Sequence, residues 1–375
     1  MSDIQPIVMP KWGLAMAEGT LVGWSVGEGS DIQKGDEIAE IETTKITNVF
    51  ESPVSGVLRR QITKGGEIVP VGALLAVLAP STVSDAEIDA FIGAFVVESA
   101  DDNGSKVVER EAHLGGRNIF YKFSGSAEDG IPAVLIHGFG GDADNWLFNI
   151  ESLSASRPVY ALDLPGHGKS TKTVVKGDLD ELADAVIAVL DDAGVAKAHL
   201  VGHSLGGAVA FKVLDKAPTR VASVAGVAPA GLGEGVNDAY IRGFISAEKR
   251  KDVKSALQML VADPEQVSAT MIEGIQRYKR LEGVKEAIET IAAKTMPQGR
   301  QAVSFRSLVE KTDKPVLVVW GEKDAIIDPR HSEGVASTVS VVRLPSVGHM
   351  PHLEAAKTFN AQVAKHFENA EAKSR

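Results

Sequence analysis

Apolar and polar positions follow three rhythms along this chain. Over residues 1–80 they alternate in short runs, Thr20–Val26, Glu37–Glu42, Val57–Thr63 and Leu74–Leu78, each punctuated by glycine turns. A period of two predicts half-buried strands. The pattern also repeats: Gly19 corresponds to Gly56, Leu21 to Leu58, Gly29 to Gly66, Ile32 to Val69, Gly35 to Gly72, Ile38 to Leu75 and Ile41 to Leu78. Seven matches at one offset predict two equivalent halves, and hence a small all-β sandwich of two sheets with internal twofold symmetry. Where the halves join, Ile41–Ile46 is predicted to form an exposed hairpin that presents a single lysine, Lys45.

Over residues 81–105 the rhythm changes. Ile88, Phe91, Ile92, Phe95 and Val96 recur at helical spacing behind Ser84-Asp85, an N-cap signal. A short amphipathic helix is predicted, followed by a hinge at Asp101–Ser105. The helix is expected to pack on one of the two domains it joins rather than to dock a partner subunit.

From residue 106 apolar strands alternate with amphipathic helices, the signature of an α/β sheet. Val134–Ile136, Tyr160–Leu162, His199–Val201, Val316–Trp320 and Val339–Leu344 each run directly into polar or glycine-rich segments. Polar groups just beyond strand ends lie where open α/β sheets place their sites. Between about 234 and 308 the strands lapse, and helices are expected over Ala247–Val261, Pro264–Leu281 and Val284–Lys294, forming a cap. The expected domains are therefore 1–80, a connector at 81–105, and 106–375.

Composition narrows the field. With 44% apolar and 24% charged residues the chain reads as soluble and globular. Its longest apolar run, Ala73–Ala79, is far short of the roughly 20 residues of a membrane helix, and Met1-Ser2-Asp3 opens no signal peptide, so the expected location is cytoplasmic. A net charge of −11 argues against sequence-independent nucleic-acid binding. Cysteine is absent, which excludes disulfides, a thiolate nucleophile and Cys-ligated zinc. No His/Asp/Glu set has metal-ligand spacing, so no metal is expected.

Gly202-x-Ser204-x-Gly206 follows an apolar strand and fits a nucleophile elbow, whose sharp strand-to-helix turn needs small neighbours. Ser204 would stand at a helix N-terminus, with the Leu205 N–H and that of Phe139, in the His137–Gly141 loop, forming an oxyanion hole. The acid and base should follow in the order acid, then histidine. Asp324 and His349 lie after the last two strands and take those roles; Asp328 and His352 are the runners-up. Asp163 is expected to hold the Pro165–Ser170 loop, and His137 and His203 to pack beside the oxyanion region. A competing match, Gly138-x-Gly140-x-x-Ala143 with Asp163 beyond it, fits the dinucleotide fingerprint. It lacks a third glycine, and the elbow reading accounts for the same residues.

Three resemblances join these motifs. Met9–Leu14, Glu18-Gly19, Gly35-Asp36, Glu42-Thr43-x-Lys45 and Ser55-Gly56 together resemble a lipoyl domain. The resemblance implies lipoate in amide linkage on Lys45, and Thr44 and Ile46, where a biotin carrier has Met on both sides, favour lipoate over biotin. Residues 106–370 resemble the α/β-hydrolase family with a helical cap. The fusion is similar to the acetyltransferase components of acetoin dehydrogenase complexes. That resemblance implies acetyl transfer from S-acetyl-dihydrolipoyl-lysine to coenzyme A in acetoin catabolism. The implied partners are a thiamine-dependent acetoin-cleaving component, dihydrolipoamide dehydrogenase and a lipoate-attaching enzyme. The alternative is a lipoyl-tethered hydrolase, a thioesterase or esterase using the same triad.

Overall fold

The computed structural model describes residues 4–10, 16, 18–43, 47–95, 107–126 and 130–374. Lys45 with Thr44 and Ile46, part of the 9–14 segment, Val96 and the Asp101–Ser105 hinge lie outside the described residues. The chain divides into two compact units, one comprising Met1–Gly104 with Ser268–Met271 and the other Ser105–Val267 and Ile272–Arg375.

The first unit holds strands β1 (Gln5–Val8), β2 (Glu18–Trp24), β3 (Asp31–Ile32), β4 (Glu37–Glu42), β5 (Thr47–Glu51), β6 (Gly56–Gln61), β7 (Ile68–Pro70) and β8 (Leu74–Leu78). They form two four-stranded sheets, ordered β1-β8-β6-β3 and β5-β4-β2-β7. Exchanging β1 with β5, β8 with β4, β6 with β2 and β3 with β7 converts one order into the other, so the repeat in the sequence is a symmetry of the fold. Two of its three glycine pairs share backbone geometry: Gly29 and Gly66 have φ of 89° and 88°, and Gly35 and Gly72 of 95° and 82°. These left-handed turns cost little for a residue without Cβ. Ile7, Met9, Leu21, Ile38, Ile41, Leu58 and Leu75 fill the core. β4 and β5 pair antiparallel with Glu42 opposite Thr47, which leaves residues 43–46 between the two strands.

Helix α1 (Asp85–Ala94) starts in a capping box: Ser84 Oγ accepts from Glu87 N, and Glu87 Oε2 accepts from Ser84 N at 2.9 Å. Ile88, Phe91, Ile92 and Phe95 pack against Leu74, Val77 and Ala79 in a second small core. β8 is thus covered on both faces, which is why it reads as an unbroken apolar run rather than an alternating one. The helix packs on the first unit.

The second unit is built on one eight-stranded sheet, β16-β15-β14-β13-β11-β12-β10-β9. Its strands are β9 (Val108–Leu114), β10 (Arg117–Ser124), β11 (Ala133–Ile136), β12 (Val159–Leu162), β13 (Ala198–His203), β14 (Val221–Val227), β15 (Val316–Gly321) and β16 (Val339–Leu344). β11 to β16 run parallel, and the β9–β10 hairpin adds antiparallel at one edge. Helices α2 (Leu147–Ser154), α3 (Leu179–Asp192) and α4 (Leu205–Lys216) connect and flank the strands. Between β14 and β15 come α5 (Asp238–Ser246), α6 (Arg250–Gln258), α7 (Ala269–Lys279) and α8 (Val284–Thr295), followed by α9 (Arg306–Lys311). The short α10 (Pro351–Glu354) and the long α11 (Ala356–Ser374) close the chain.

The cap differs from expectation at its start. A helix was expected from Ala247, but Ala247 is the extended C-cap of α5, donating its N–H to Gly243 O at 2.9 Å. α5 begins behind Asn237, whose side chain accepts from Tyr240 N, and buries Tyr240, Ile241 and Phe244. Among the described residues no helix is long and apolar enough to cross a membrane.

Candidate active site

Ser204 links β13 to α4 with φ 53° and ψ −116°, a conformation that costs a non-glycine residue about 1–3 kcal/mol. The turn persists because its surroundings leave no alternative. A Cβ on Gly202 would lie 2.2 Å from Gly206 O, and one on Gly206 would lie 2.3 Å from Ile136 O. Ser204 N donates to Val227 O at 2.9 Å, while Ser204 O accepts from Gly207 N and Ala230 N. The two glycines flanking the serine are therefore places where backbone meets backbone.

The loop after β11 runs against this elbow. A Cβ on Gly138 would approach Ser204 Cβ to 3.1 Å. Among the described residues, neither the Phe139 N–H nor the Leu205 N–H has a hydrogen-bond partner. Three buried groups hold the loop. His137 Nε2 accepts from Leu164 N at 3.0 Å, so its proton sits on Nδ1, 2.7 Å from Gly138 O. His167 Nε2 accepts from Gly140 N at 3.1 Å, and its Nδ1 faces Pro165 O. Asp163 accepts from Ala143 N through Oδ1 (2.7 Å) and from Lys169 N through Oδ2 (2.6 Å). All three tie segment 137–143 to segment 163–170, and these contacts occupy the residues that matched a dinucleotide fingerprint. From the cap, the Phe244 ring meets Phe139 edge-on at 5.7 Å and covers Gly140, where a Cβ would lie 2.3 Å from the ring.

Past β16, His349 Nδ1 donates to Asp324 Oδ2 at 2.7 Å, and both side chains are buried. This leaves Nε2 with its lone pair. Asp324 is held by three further donors: Trp320 Nε1 to Oδ2 (2.9 Å), Ile326 N to Oδ1 (2.7 Å) and Ile327 N to Oδ1 (3.0 Å). His203, the residue before Ser204, donates through Nε2 to His349 O at 2.8 Å, and the two rings lie 4.8 Å apart. The elbow and the imidazole are joined in this way.

The runners-up are engaged elsewhere. Asp328 caps the turn at Pro329–Ser332 and pairs with Arg330, whose hydrogen bonds bring its carboxyl down to about 2. His352 is fully buried between the rings of Trp146 (4.5 Å) and His203 (4.6 Å). Trp320 joins the site without a motif in the sequence to mark it. A tryptophan closing a buried strand needs an acceptor for its N–H, and the carboxylate four residues on could have been matched to it. Among the described residues no group of three His, Cys, Asp or Glu could hold a metal ion. A serine at a helix N-terminus, an imidazole oriented by a carboxylate, and two unengaged N–H groups form a set able to perform acyl transfer.

Burial also makes this unit acid-sensitive. It pulls His137 and His199 to about 4, His167 and His352 to about 3, His366 to about 4, and lowers His203 and His331 as well. Below the ordinary histidine value of about 6.5 the unfolded chain binds more protons at these sites, so their stability contribution is full above that pH and is lost on acidification. Asp163, raised to about 7 by burial and by Asp142, and Glu354, raised by burial, have the opposite sign, but they are two groups against seven. The melting temperature is expected to fall steadily between pH 6.5 and pH 4 (about the span between ordinary and folded values). A flat or rising profile in calorimetry would contradict this.

Comparison with known proteins follows the same division. The family described as alpha/beta hydrolase fold matches residues 132–356, and the family described as biotin-requiring enzyme matches residues 5–78. A relative from Pseudomonas putida, named the dihydrolipoyllysine-residue acetyltransferase component of acetoin cleaving system, is 47% identical over 97% of this chain and 98% of its own. A protein of the same name from Cupriavidus necator is 43% identical over 97% of each chain. Among solved structures, the carboxylesterase CesB from Bacillus subtilis aligns with a TM-score of 0.61 at 20% identity, covering 69% of this chain and 91% of that one.

Proposed function

We propose that this chain, which belongs to the family of dihydrolipoyllysine-residue acetyltransferase components of acetoin cleaving systems, moves acetyl groups from a dihydrolipoyl thiol to coenzyme A by way of Ser204. Lys45 fits the lipoyl attachment point. It is the single lysine among the four residues that separate two paired strands of the carrier fold. A lipoyl group in amide linkage there would supply the thiol that brings the acetyl group in.

The chain's own residues do the rest. His349 Nε2 takes the Ser204 proton as Oγ attacks the thioester carbonyl, and Asp324 holds the imidazole in the required tautomer. The N–H groups of Phe139 and Leu205 stabilise the oxyanion, acting where charge develops. The carbon–sulfur bond breaks, His349 returns the proton to the departing thiol, and acetyl-Ser204 remains. The coenzyme A thiol then loses its proton to His349 and attacks that ester. Collapse releases acetyl-coenzyme A and returns the proton to Ser204. The observation that carries this reading is the His349–Asp324 bond of 2.7 Å beside the strained elbow.

In the cell the chain would work in the cytoplasm within an acetoin-cleaving assembly. A thiamine-dependent component would load the acetyl group, dihydrolipoamide dehydrogenase would reoxidise the arm, and a lipoate-attaching enzyme would modify Lys45. The test supplies S-acetyl-dihydrolipoamide and coenzyme A to the purified protein. Equal amounts of dihydrolipoamide and acetyl-coenzyme A are expected, with little acetate. Acetate as the sole acyl product would overturn transfer in favour of the tethered hydrolase.

A further inference from the structure

The His349 loop is gripped from behind by the cap. His349 N donates to Leu260 O at 2.8 Å. The N–H groups on either side of it converge on one carboxylate: Gly348 N lies 3.1 and 3.0 Å from Glu354 Oε1 and Oε2, and Met350 N lies 3.1 Å from Oε1. Glu354 Oε2 also accepts from Ala262 N at 2.7 Å. Leu260 and Ala262 belong to the cap segment that follows α6, and Glu354 ends α10. The backbones are in direct contact, since a Cβ on Gly348 would lie 2.6 Å from Ala262 N. Among the described residues no cation pairs with Glu354. Burial raises its carboxyl above the ordinary range, so this group is kept for its three backbone donors and not for a counter-ion.

We propose that Glu354 is a positioning residue for His349: its carboxylate fastens the base loop to the cap, so that cap and sheet together set where the imidazole meets Ser204. The proposal rests on reading His349 as the general base. The chemistry asks for a carboxylate in particular. Three N–H groups from two segments need an acceptor-only group with two oxygens, and glutamine would turn an NH2 donor against one of them.

The test uses the full chain with Glu354→Gln and Glu354→Asp and follows a fluorophosphonate probe on Ser204. The rate constant for labelling and kcat for transfer are expected to fall about 10- to 100-fold in E354Q, since misplacement of about 1 Å costs that order. KM should stay within about twofold of the parent if the carboxylate acts on the base and not on uniform substrate binding. The final labelling stoichiometry should remain one per chain, which separates a positioning role from loss of folded protein. E354D keeps the charge but withdraws it by one methylene, and serves if E354Q does not fold; a reduced rate constant at full stoichiometry is again expected. A rate constant equal to the parent's, or lost stoichiometry with the remainder reacting at the parent rate, overturns the proposal. His349→Ala run alongside keeps the two readings apart: labelling at the parent rate there would overturn the assignment of the base itself.

Discussion

Replacing Ser204 with alanine is expected to lower acetyl transfer from S-acetyl-dihydrolipoamide to coenzyme A by about ten-thousand-fold or more, with KM for either substrate little changed. The loss should appear in kcat because the nucleophile bonds to the acetyl carbon only as the reaction proceeds. Two observations make alanine a clean probe. Its Cβ fits where the serine Cβ already sits, and the φ of 53° is imposed by contacts at Gly202 and Gly206 and by the Val227 carbonyl, none of which involves Oγ. The variant should therefore fold with the oxyanion loop intact. Residual activity would measure what the Phe139 and Leu205 N–H groups contribute to direct attack by the coenzyme A thiol within a ternary complex. Quench-flow mass spectrometry of the parent, mixed with acetyl donor alone, should show one acetyl increment that trypsin maps to the elbow peptide. Full transfer by S204A would overturn the covalent route, and the kinetic pattern would then be sequential instead of ping-pong.

Much of this arrangement was legible in the sequence because its causes are local. The glycine repeat of the first unit could be found by aligning the chain with itself, and the structure shows the pairs Gly29/Gly66 and Gly35/Gly72 sharing the same left-handed turns. The elbow was legible because Gly202 and Gly206 answer a steric demand within five residues of chain. Strand β4 and strand β8 match the expected limits, as does β16. What escaped has distant causes. β9 exposes most of its side chains at a sheet edge, so it carries no apolar run to find. α5 shows its helical face only once Phe244 has Phe139 and Gly140 to cover. The paired tautomers of His137 and His167 depend on backbone N–H groups 27 residues away. The grip of Glu354 spans 92 residues to Ala262. Periodicity reports which face of an element is buried; it does not report which backbone group a buried polar atom will meet.

Changing Lys45 to arginine is expected to abolish acetyl delivery through the assembled system, with transfer from free S-acetyl-dihydrolipoamide within about twofold of the parent. Arginine keeps the positive charge, but its guanidinium does not form the amide through which a lysine amine holds lipoate. Tethering turns delivery into an encounter at high effective concentration, so its removal should cost about 100- to 10,000-fold in coupled turnover with no change at Ser204. Glu42 stands opposite Thr47 in the β4–β5 register, and Lys45 is the single lysine in the sequence between those two residues. Intact-mass measurement on protein from lipoate-competent cells should show one lipoyl increment on the parent and none on K45R. Acetoin-dependent formation of acetyl-coenzyme A in the reconstituted system should disappear along with it. An increment that persists on K45R, or coupled turnover at the parent rate, would remove Lys45 from the pathway and leave Ser204 serving a donor that arrives untethered. Because S204A and K45R each remove one half of the proposed cycle, a mixture of the two proteins adds a decisive measurement. Recovered turnover would mean that the arm of one chain can serve the serine of another, and absence of recovery would mean that each arm serves its own.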